Sequence, residues 1–241
     1  MDTAGVKKIA FTSGKGGVGK STLVSAIGQS LCEKGHKVLL VDCYMGLVSL
    51  DIMLSLNQTV YNWYDVISGA CSPDKALTQG DGPYLLSAPQ KRVDVTEQDM
   101  IDLIEKYEND FDFILIDSPA GIGHGFKLSL AMANDAIVVS TPDNVCARGV
   151  GAAVAGIYEA GLAPRLIINR LKKKGVKRND LLNVDTVIDQ TGARLIGVVF
   201  EDEKFSVAIN KGQKPPDYLK ASKAVGRITR RLQGEELCLK L

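Results

Sequence analysis

An eight-residue stretch, Gly14–Ser21, has the residue types and spacing of a phosphate-binding loop. It reads GKGGVGKS and fits the pattern G-x-x-x-x-G-K-[ST] between a predicted strand and a predicted helix. Its glycines allow backbone amides to surround a phosphate at the positive end of the helix. Lys20 is expected to reach the β- and γ-phosphates, and the Ser21 hydroxyl to coordinate Mg²⁺. A glycine-rich turn without a ligand is the alternative.

Two carboxylates follow apolar runs and are expected to face this loop. Asp42 ends the run HKVLLV, and Asp117 ends FDFILI ahead of the chain-breaking segment Ser118–Gly121. A carboxylate at such a strand end can hold Mg²⁺ through water, and the Gly121 amide is placed to sense a γ-phosphate. The alternative for Asp117 is a strand-terminating Asx-type turn. Tyr44 stands where a second acid would assist Asp42.

The elements that must position these residues are seven apolar runs with helical segments between them. Uninterrupted apolar runs predict strands buried on both faces, and strands alternating with helices predict a parallel sheet. The expected fold is therefore α/β, a three-layer P-loop arrangement with about seven or eight strands and helices on both faces. Without a repeat or a linker, residues 1–241 are expected to form one domain. The predicted strands are residues 7–13, 37–42, 84–88, 111–117, 136–141, 165–170 and 194–200.

Composition narrows the classes of partner. The chain has 29 basic and 28 acidic residues, so no overall charge favours DNA or an anionic membrane. The odd, scattered set of five cysteines suggests neither a disulfide framework nor a zinc site. No signal peptide and no apolar run of about 18 residues is visible, which predicts a cytoplasmic protein.

Lys15 adds a more specific signature. The form KGGVGKS that it creates resembles the deviant Walker A motif of the ParA/MinD ATPases. The resemblance implies ATP or ADP with Mg²⁺ as cofactors, and a homodimer in which Lys15 reaches the partner's nucleotide. A solvated loop lysine is the alternative. The residues implied to bind the nucleotide in this segment are Gly14, Lys15, Gly16, Gly17, Val18, Gly19, Lys20, Ser21 and Thr22.

The similarity extends from about Lys7 to Pro216 and indicates the MinD branch, through stretches such as DSPAGI, AIVVSTPD and LIINR. It implies an ATPase in which Lys15, Lys20, Asp42 and Asp117 are catalytic, and Ser21, Asp42 and Asp117 hold the metal. It also implies an adenine site. That site comprises Asn169, Arg170, Phe200, Glu201 and Asp202, with Gly121 completing the nucleotide contacts. A strand-end turn is the alternative role for Asn169.

The segment after the second predicted strand departs from the family pattern D-x-D-x-G-L-R-N-L-D. Tyr44 replaces the second acid, Val48 the arginine and Ser49 the asparagine. Because a phenol has a pKa near 10, it accepts no proton at neutral pH. Loss of a water-orienting group costs about 10²–10⁴-fold in rate, so slow hydrolysis is expected. A non-catalytic nucleotide-binding scaffold is a rival hypothesis.

Two other departures concern partners. Gly149 and Gly151 stand where the family carries acids near its MinC and MinE contacts, which weakens the expectation of partners of that type. The basic amphipathic membrane tail of the family is not evident after Leu232, and the tail 234–241 is short. The helix predicted from Tyr218 to about 233 is expected to dock on the domain through Tyr218, Ala221, Val225, Ile228 and Leu232 rather than on lipid. Peripheral contact at the inner face of the cell membrane remains the alternative.

The densest basic stretch, Arg170–Arg178, raises a third hypothesis, a DNA-partition ATPase of the ParA type. It is short and lacks interleaved aromatic residues. A solvated loop is therefore expected, with DNA binding disfavoured. The leading hypothesis is an ATP-dependent dimerising switch of the MinD type, acting in division-site selection or in the positioning of another cellular structure.

Overall fold

The computed structural model describes residues 5–46, 50–56, 59–178 and 180–239. Val48 and Ser49, two of the expected departures from the family pattern, lie outside these described residues. The strands are β1 (Lys7–Thr12), β2 (Val38–Asp42), β3 (Leu77–Gln79), β4 (Tyr84–Leu86), β5 (Phe113–Asp117), β6 (Asp135–Ser140), β7 (Pro164–Leu171) and β8 (Arg194–Phe200). The helices are α1 (Lys20–Cys32), α2 (Leu50–Met53), α3 (Trp63–Ile67), α4 (Pro73–Ala76), α5 (Glu97–Glu105), α6 (His124–Ala131), α7 (Asn144–Glu159), α8 (Lys173–Lys177), α9 (Val184–Thr191), α10 (Glu203–Asn210) and α11 (Lys220–Leu232).

Within the described ranges, eight strands form one sheet in the order β3-β4-β2-β5-β1-β6-β7-β8. All neighbouring pairs are parallel except β3 with β4. The prediction of a mostly parallel sheet is confirmed, and each of the seven predicted runs is a strand. The sequence missed β3, because its three residues LTQ form no apolar run and it lies at the sheet edge.

The sheet is covered on both faces, which explains the continuous apolar runs. In β5, Leu115 belongs to the core that contains α1, while Ile114 belongs to the core that contains Trp63 and α5. Successive side chains of a strand point to opposite faces, so α1 and α5 lie on opposite sides of the sheet. The indole of Trp63 is buried and donates to the Asp42 carbonyl at 3.0 Å, which anchors α3 beside the end of β2.

Helix α11 packs against β8 and α1. Ala221, Val225, Ile228 and Leu232 are buried, which confirms docking of the apolar face on the sheet. The inclusion of Tyr218 in that face was wrong, because α11 begins at Lys220 and Tyr218 is 68% exposed. The guanidinium of Arg231 donates to the carbonyls of Ile196, Leu237 and Cys238, so it ties the following segment to the outer strand.

The basic stretch after β7 differs from expectation in one respect. Residues Lys173–Lys177 form the short helix α8 rather than a loop, although the lysine side chains are exposed as predicted. The described residues contain no helix with the length and apolar character needed to span a bilayer.

Candidate functional site

The phosphate-binding loop joins the carboxyl end of β1 to the amino end of α1. Gly17 and Gly19 have φ angles of 78° and 88°, in the left-handed region that glycine adopts without strain. A side chain on Gly19 would also collide with the Asn169 amide, at 2.5 Å from a Cβ placed there. The loop therefore directs its backbone toward the start of a 13-residue helix, where unpaired amides and the helix dipole favour a phosphate.

Lys20 and Asp117 form a buried ion pair beneath this loop. The ammonium of Lys20 lies 2.5 Å from Oδ1 of Asp117, and the two side chains are 8% and 2% exposed. Register explains the meeting, because β1 and β5 are neighbours and Phe11 is opposite Asp117. Burial of a paired charge requires close geometry, so this pair holds the lysine at a defined position in the loop.

Asp42 lies beside Asp117 at the same edge of the sheet, since the two residues are register partners in β2 and β5. It is fully buried, and its Oδ1 accepts a hydrogen bond of 2.8 Å from the backbone amide of Tyr44. These carboxylates and the Ser21 hydroxyl are hard oxygen donors of the kind that Mg²⁺ prefers. Across the described part of the chain, no group of three or more His, Cys, Asp or Glu side chains could hold a metal alone. The donor set therefore fits a Mg²⁺ that also binds phosphate oxygens and water.

A cleft of about 430 Å³ runs along the loop. It brings together the predicted Lys20, Ser21 and Arg170 with Tyr44, whose side chain is 37% exposed. Met53, Ala120 and Asn210 also line it, although no sequence motif had marked them as site residues. Gly16–Thr22 and Ser13 complete the lining.

A second cleft, of about 260 Å³, lies beside the same loop. Lys15 lines it with Asp143 and Glu201, and Arg170 borders both clefts with a φ of 57°. Lys172 pairs with Glu201 at 2.6 Å. Lys172, at the edge of this cleft, is therefore paired with a carboxylate of the same chain.

Several predicted nucleotide contacts have other partners. The side-chain amide of Asn169 is buried and donates to the Val18 carbonyl at 2.8 Å, so it supports the loop from below. The Gly121 amide donates to the Ser13 carbonyl at 2.9 Å. Asp202 caps α10 by accepting from the Phe205 amide at 3.3 Å. Neither Asp202 nor Phe200 is among the lining residues of the two clefts.

The aromatic ring of Phe200 lies 5.1 Å from the ammonium of Lys173. Gly14 lies against the backbone of Gly149 in α7. Of the predicted residues, the structure therefore brings Gly16–Thr22, Lys15, Arg170 and Glu201 to the clefts. Gly14, Asn169, Asp42 and Asp117 line neither cleft, and Asn169 and Asp117 bond to the loop from behind it.

The cysteines near the site are not placed for nucleophilic chemistry. Burial raises the pKa of the Cys43 thiol to about 12, so that thiol stays protonated. Cys146 is also buried, and its sulfur lies 3.3 Å from the Thr141 amide.

Comparison with known proteins identifies the family of this chain. The AAA_31 model, described as an AAA domain, matches residues 6–163. The septum site-determining protein MinD of Synechocystis sp. is 38% identical over 240 residues, which cover 95% of this chain and 90% of that protein.

Solved structures agree with the sequence match. The chain from the MinC:MinD cell division complex of Aquifex aeolicus superposes with a TM-score of 0.91 at 35% identity, covering 98% of this chain and 99% of that one. The MinD of Pyrococcus horikoshii, solved with Mg-ADP, gives 0.82 at 26% identity, covering 94% and 96%. The chain therefore belongs to the MinD family of septum site-determining proteins, a division-site branch of the ParA/MinD P-loop ATPases.

Proposed function

We propose that this chain binds Mg²⁺ and ATP in the cleft along Gly14–Ser21, dimerises with ATP bound, and resets by slow hydrolysis. The observation that carries the proposal is the buried Lys20–Asp117 pair at the base of a cleft that also contains Ser21 and Tyr44. The relatives named MinD favour a division-site switch over a DNA-partition role or an inert scaffold. The Mg-ADP of the P. horikoshii protein supports the choice of cofactor.

Lys20 has the donors required for this function. An ammonium carries three N–H groups, so Lys20 can keep its bond to Asp117 while donating to β- and γ-phosphate oxygens. The backbone amides of Gly16–Ser21 bind the remaining phosphate oxygens. When bound, Mg²⁺ would neutralise charge on the transferring phosphoryl group, and Ser21, Asp42 and Asp117 would hold it directly or through water.

Tyr44 sets the expected rate. Its backbone amide is tied to Asp42, and its side chain lines the cleft in which the attacking water must lie. A phenol hydroxyl cannot serve as the base for that water. Its ring also fills space that a shorter carboxylate would leave open. Asp42 is the nearest substitute base, but its Oδ1 already accepts from the Tyr44 amide.

Lys15 supports the proposal of an ATP-dependent homodimer. Its side chain is exposed and lines the second cleft, rather than turning into the cleft that contains Lys20. A lysine in this position can reach a nucleotide bound to a second copy, as an arginine finger does in trans. Asn169 and Arg170, at the end of β7, are proposed to lie near the base of the nucleotide.

A MinC-type protein is the proposed partner, because the Aquifex MinD was solved in complex with MinC. The place of contact differs from the family pattern, since Gly149 and Gly151 of α7 offer no carboxylate. We infer a cytoplasmic protein built as one P-loop domain, with any membrane contact peripheral. The buried apolar face of α11 is not available to lipid, and the exposed lysines of α8 are too few to make DNA the favoured partner.

The test compares phosphate release by the parent, Tyr44→Asp and Tyr44→Phe at saturating ATP. Tyr44→Asp is expected to raise the rate by about 10²-fold, the lower end of a general-base contribution. Tyr44→Phe is the matched control and should leave the rate unchanged, because neither a phenol hydroxyl nor a phenyl ring can serve as the base that accepts a proton from water. A Tyr44→Asp variant that hydrolyses no faster than the parent would contradict this account.

A further inference from the structure

Helix α7 touches the phosphate-binding loop through two glycines. A Cβ placed on Gly14 would lie 2.1 Å from the carbonyl carbon of Gly149, and one placed on Gly149 would lie 3.0 Å from the Gly14 carbonyl oxygen. Ordinary carbon–oxygen contacts begin several tenths of an ångström further out. The two backbones are therefore in direct contact, with no side chain between them.

The helix side of this contact is firmly held. The Asp143 carboxylate caps α7 by accepting from the Cys146 amide at 2.9 Å, and the Thr141 hydroxyl donates to the same carboxylate at 2.6 Å. Cys146 and Val150, on either side of Gly149 in the helix, are fully buried. Because a packed helix moves as a unit, the loop backbone takes its position from α7.

Lys15 follows Gly14 directly, and both its backbone and its side chain have defined neighbours. Its carbonyl accepts from the Ser13 hydroxyl at 3.0 Å, and its side chain shares the second cleft with Asp143. Although partial burial raises the pKa of Asp143, hydrogen bonds from Thr141 and Cys146 and the charge of Lys15 bring that pKa below its ordinary value. The helix that fixes the Lys15 backbone thus also presents a charge to its ammonium.

We propose that Gly149 is a positioning residue for Lys15. Its missing side chain lets α7 contact the loop at Gly14, and this contact fixes the backbone from which Lys15 reaches a second copy of the chain. The inference rests on the proposed role of Lys15 in the dimer. It also gives a reason for glycine, rather than an acid, at this position of the chain.

The experiment compares Gly149→Ala with Gly151→Ala in the full chain. Both sites lie within α7, and alanine raises helix propensity at each by about 1 kcal/mol. The two differ in surroundings, since a Cβ at Gly151 meets nothing within 4 Å. Thermal unfolding first establishes that both variants fold, and ATP-dependent dimerisation is then measured by sedimentation, with ADP affinity measured by calorimetry.

Gly149→Ala is expected to weaken ATP-dependent dimerisation by about 10-fold, the size of an ordinary overpacking penalty, because a Cβ 3.0 Å from the Gly14 carbonyl oxygen must push the loop aside. Its affinity for ADP should stay within about twofold of the parent, while Gly151→Ala matches the parent in both. In a Lys15→Ala background, Gly149→Ala should have no further effect on dimerisation. Equal loss of ADP affinity and dimerisation would overturn the inference, because the contact would then support the loop in general.

Asp143→Asn is a second variant that keeps the steric contact. Asparagine caps a helix as well as aspartate does, so α7 is retained while the charge facing Lys15 is removed. Dimerisation is expected to weaken by about threefold, and only while Lys15 is present. If Lys15→Ala dimerises as the parent does, the proposed role of Lys15 fails together with this inference. If Lys15→Ala loses dimerisation while Gly149→Ala and Asp143→Asn do not, this inference alone fails.

Discussion

The phosphate-binding loop and the segment after β2 line the same cleft but are built differently. The loop stands on buried groups, with the Lys20–Asp117 pair below it and Asn169 bonded to Val18. The segment after β2 offers exposed side chains, with Tyr44 at 37% and Ile52 at 63% exposure. The proposed phosphate site therefore depends on a framework that packing maintains. Tyr44, the proposed determinant of the hydrolysis rate, can change without disturbing the core.

This difference also determines what a substitution costs in stability. A substitution at Tyr44 costs little stability because the side chain is partly in solvent, whereas a change at Lys20 or Asp117 would leave a buried charge without its partner. Gly149, in α7, makes a backbone contact with Gly14 that a larger residue would disturb.

The largest expected effect is the loss of stability on breaking the buried Lys20–Asp117 pair. Lys20→Ala leaves the Asp117 carboxylate buried and uncompensated, so the free energy of unfolding without nucleotide should fall by about 3–5 kcal/mol. Urea denaturation measures this value. The control is Lys8→Ala, whose ion pair with Glu108 is partly exposed and should cost less than about 1 kcal/mol. Equal losses in the two variants would remove the contrast between framework and surface.

An intermediate effect is expected at Asn169. Asn169→Ala removes the donor to the Val18 carbonyl and should cost about 1–3 kcal/mol of stability, with a parallel loss of ADP affinity. Asn134→Ala is the control, because its amide bonds Val6 at the opposite end of the sheet. It should leave ADP affinity unchanged, which calorimetry can measure. Unchanged ADP affinity in Asn169→Ala would show that the loop does not depend on this bond.

The smallest effect is expected at Ile52 in α2. Ile52→Ala should change the free energy of unfolding by no more than about 0.5 kcal/mol, because the side chain is exposed. Leu50→Ala, in the same short helix, removes a fully buried side chain and should cost about 2–5 kcal/mol. Urea denaturation of both variants shows whether α2 is anchored through its buried face, to which Leu50 belongs. A large loss at Ile52 would mean that this segment belongs to the framework.

Much of the site could be predicted because its residues follow strands and open a helix. The register of β1, β2 and β5 places Asp42, Asp117 and the loop at one edge, as parallel strands require. Other features have no local pattern. Asn210 reaches the cleft from the end of α10, and Asn169 turns under the loop instead of lining the cleft, since both depend on how distant elements pack.

The same dependence on packing between distant elements explains why Tyr218 was wrongly assigned to a buried face and why β3 was missed. Tyr218 matched the helical spacing of the apolar face of α11, but α11 starts only at Lys220, so Tyr218 lies outside the packed surface. Strand β3 is formed by pairing with β4 at the sheet edge, and its own residues carry no apolar run. Hydrophobic spacing records which residues can be buried, whereas the ends and edges of elements are decided by their neighbours.

By itself, the sequence determined the parallel α/β fold and the phosphate-binding loop. These features are local, because strand periodicity and glycine conformations depend on few neighbours. Only the tertiary structure decided that Lys20 pairs with Asp117 and that Gly14 meets Gly149. Contacts between residues more than 90 positions apart arise from packing of the whole sheet, and no short stretch of sequence encodes them.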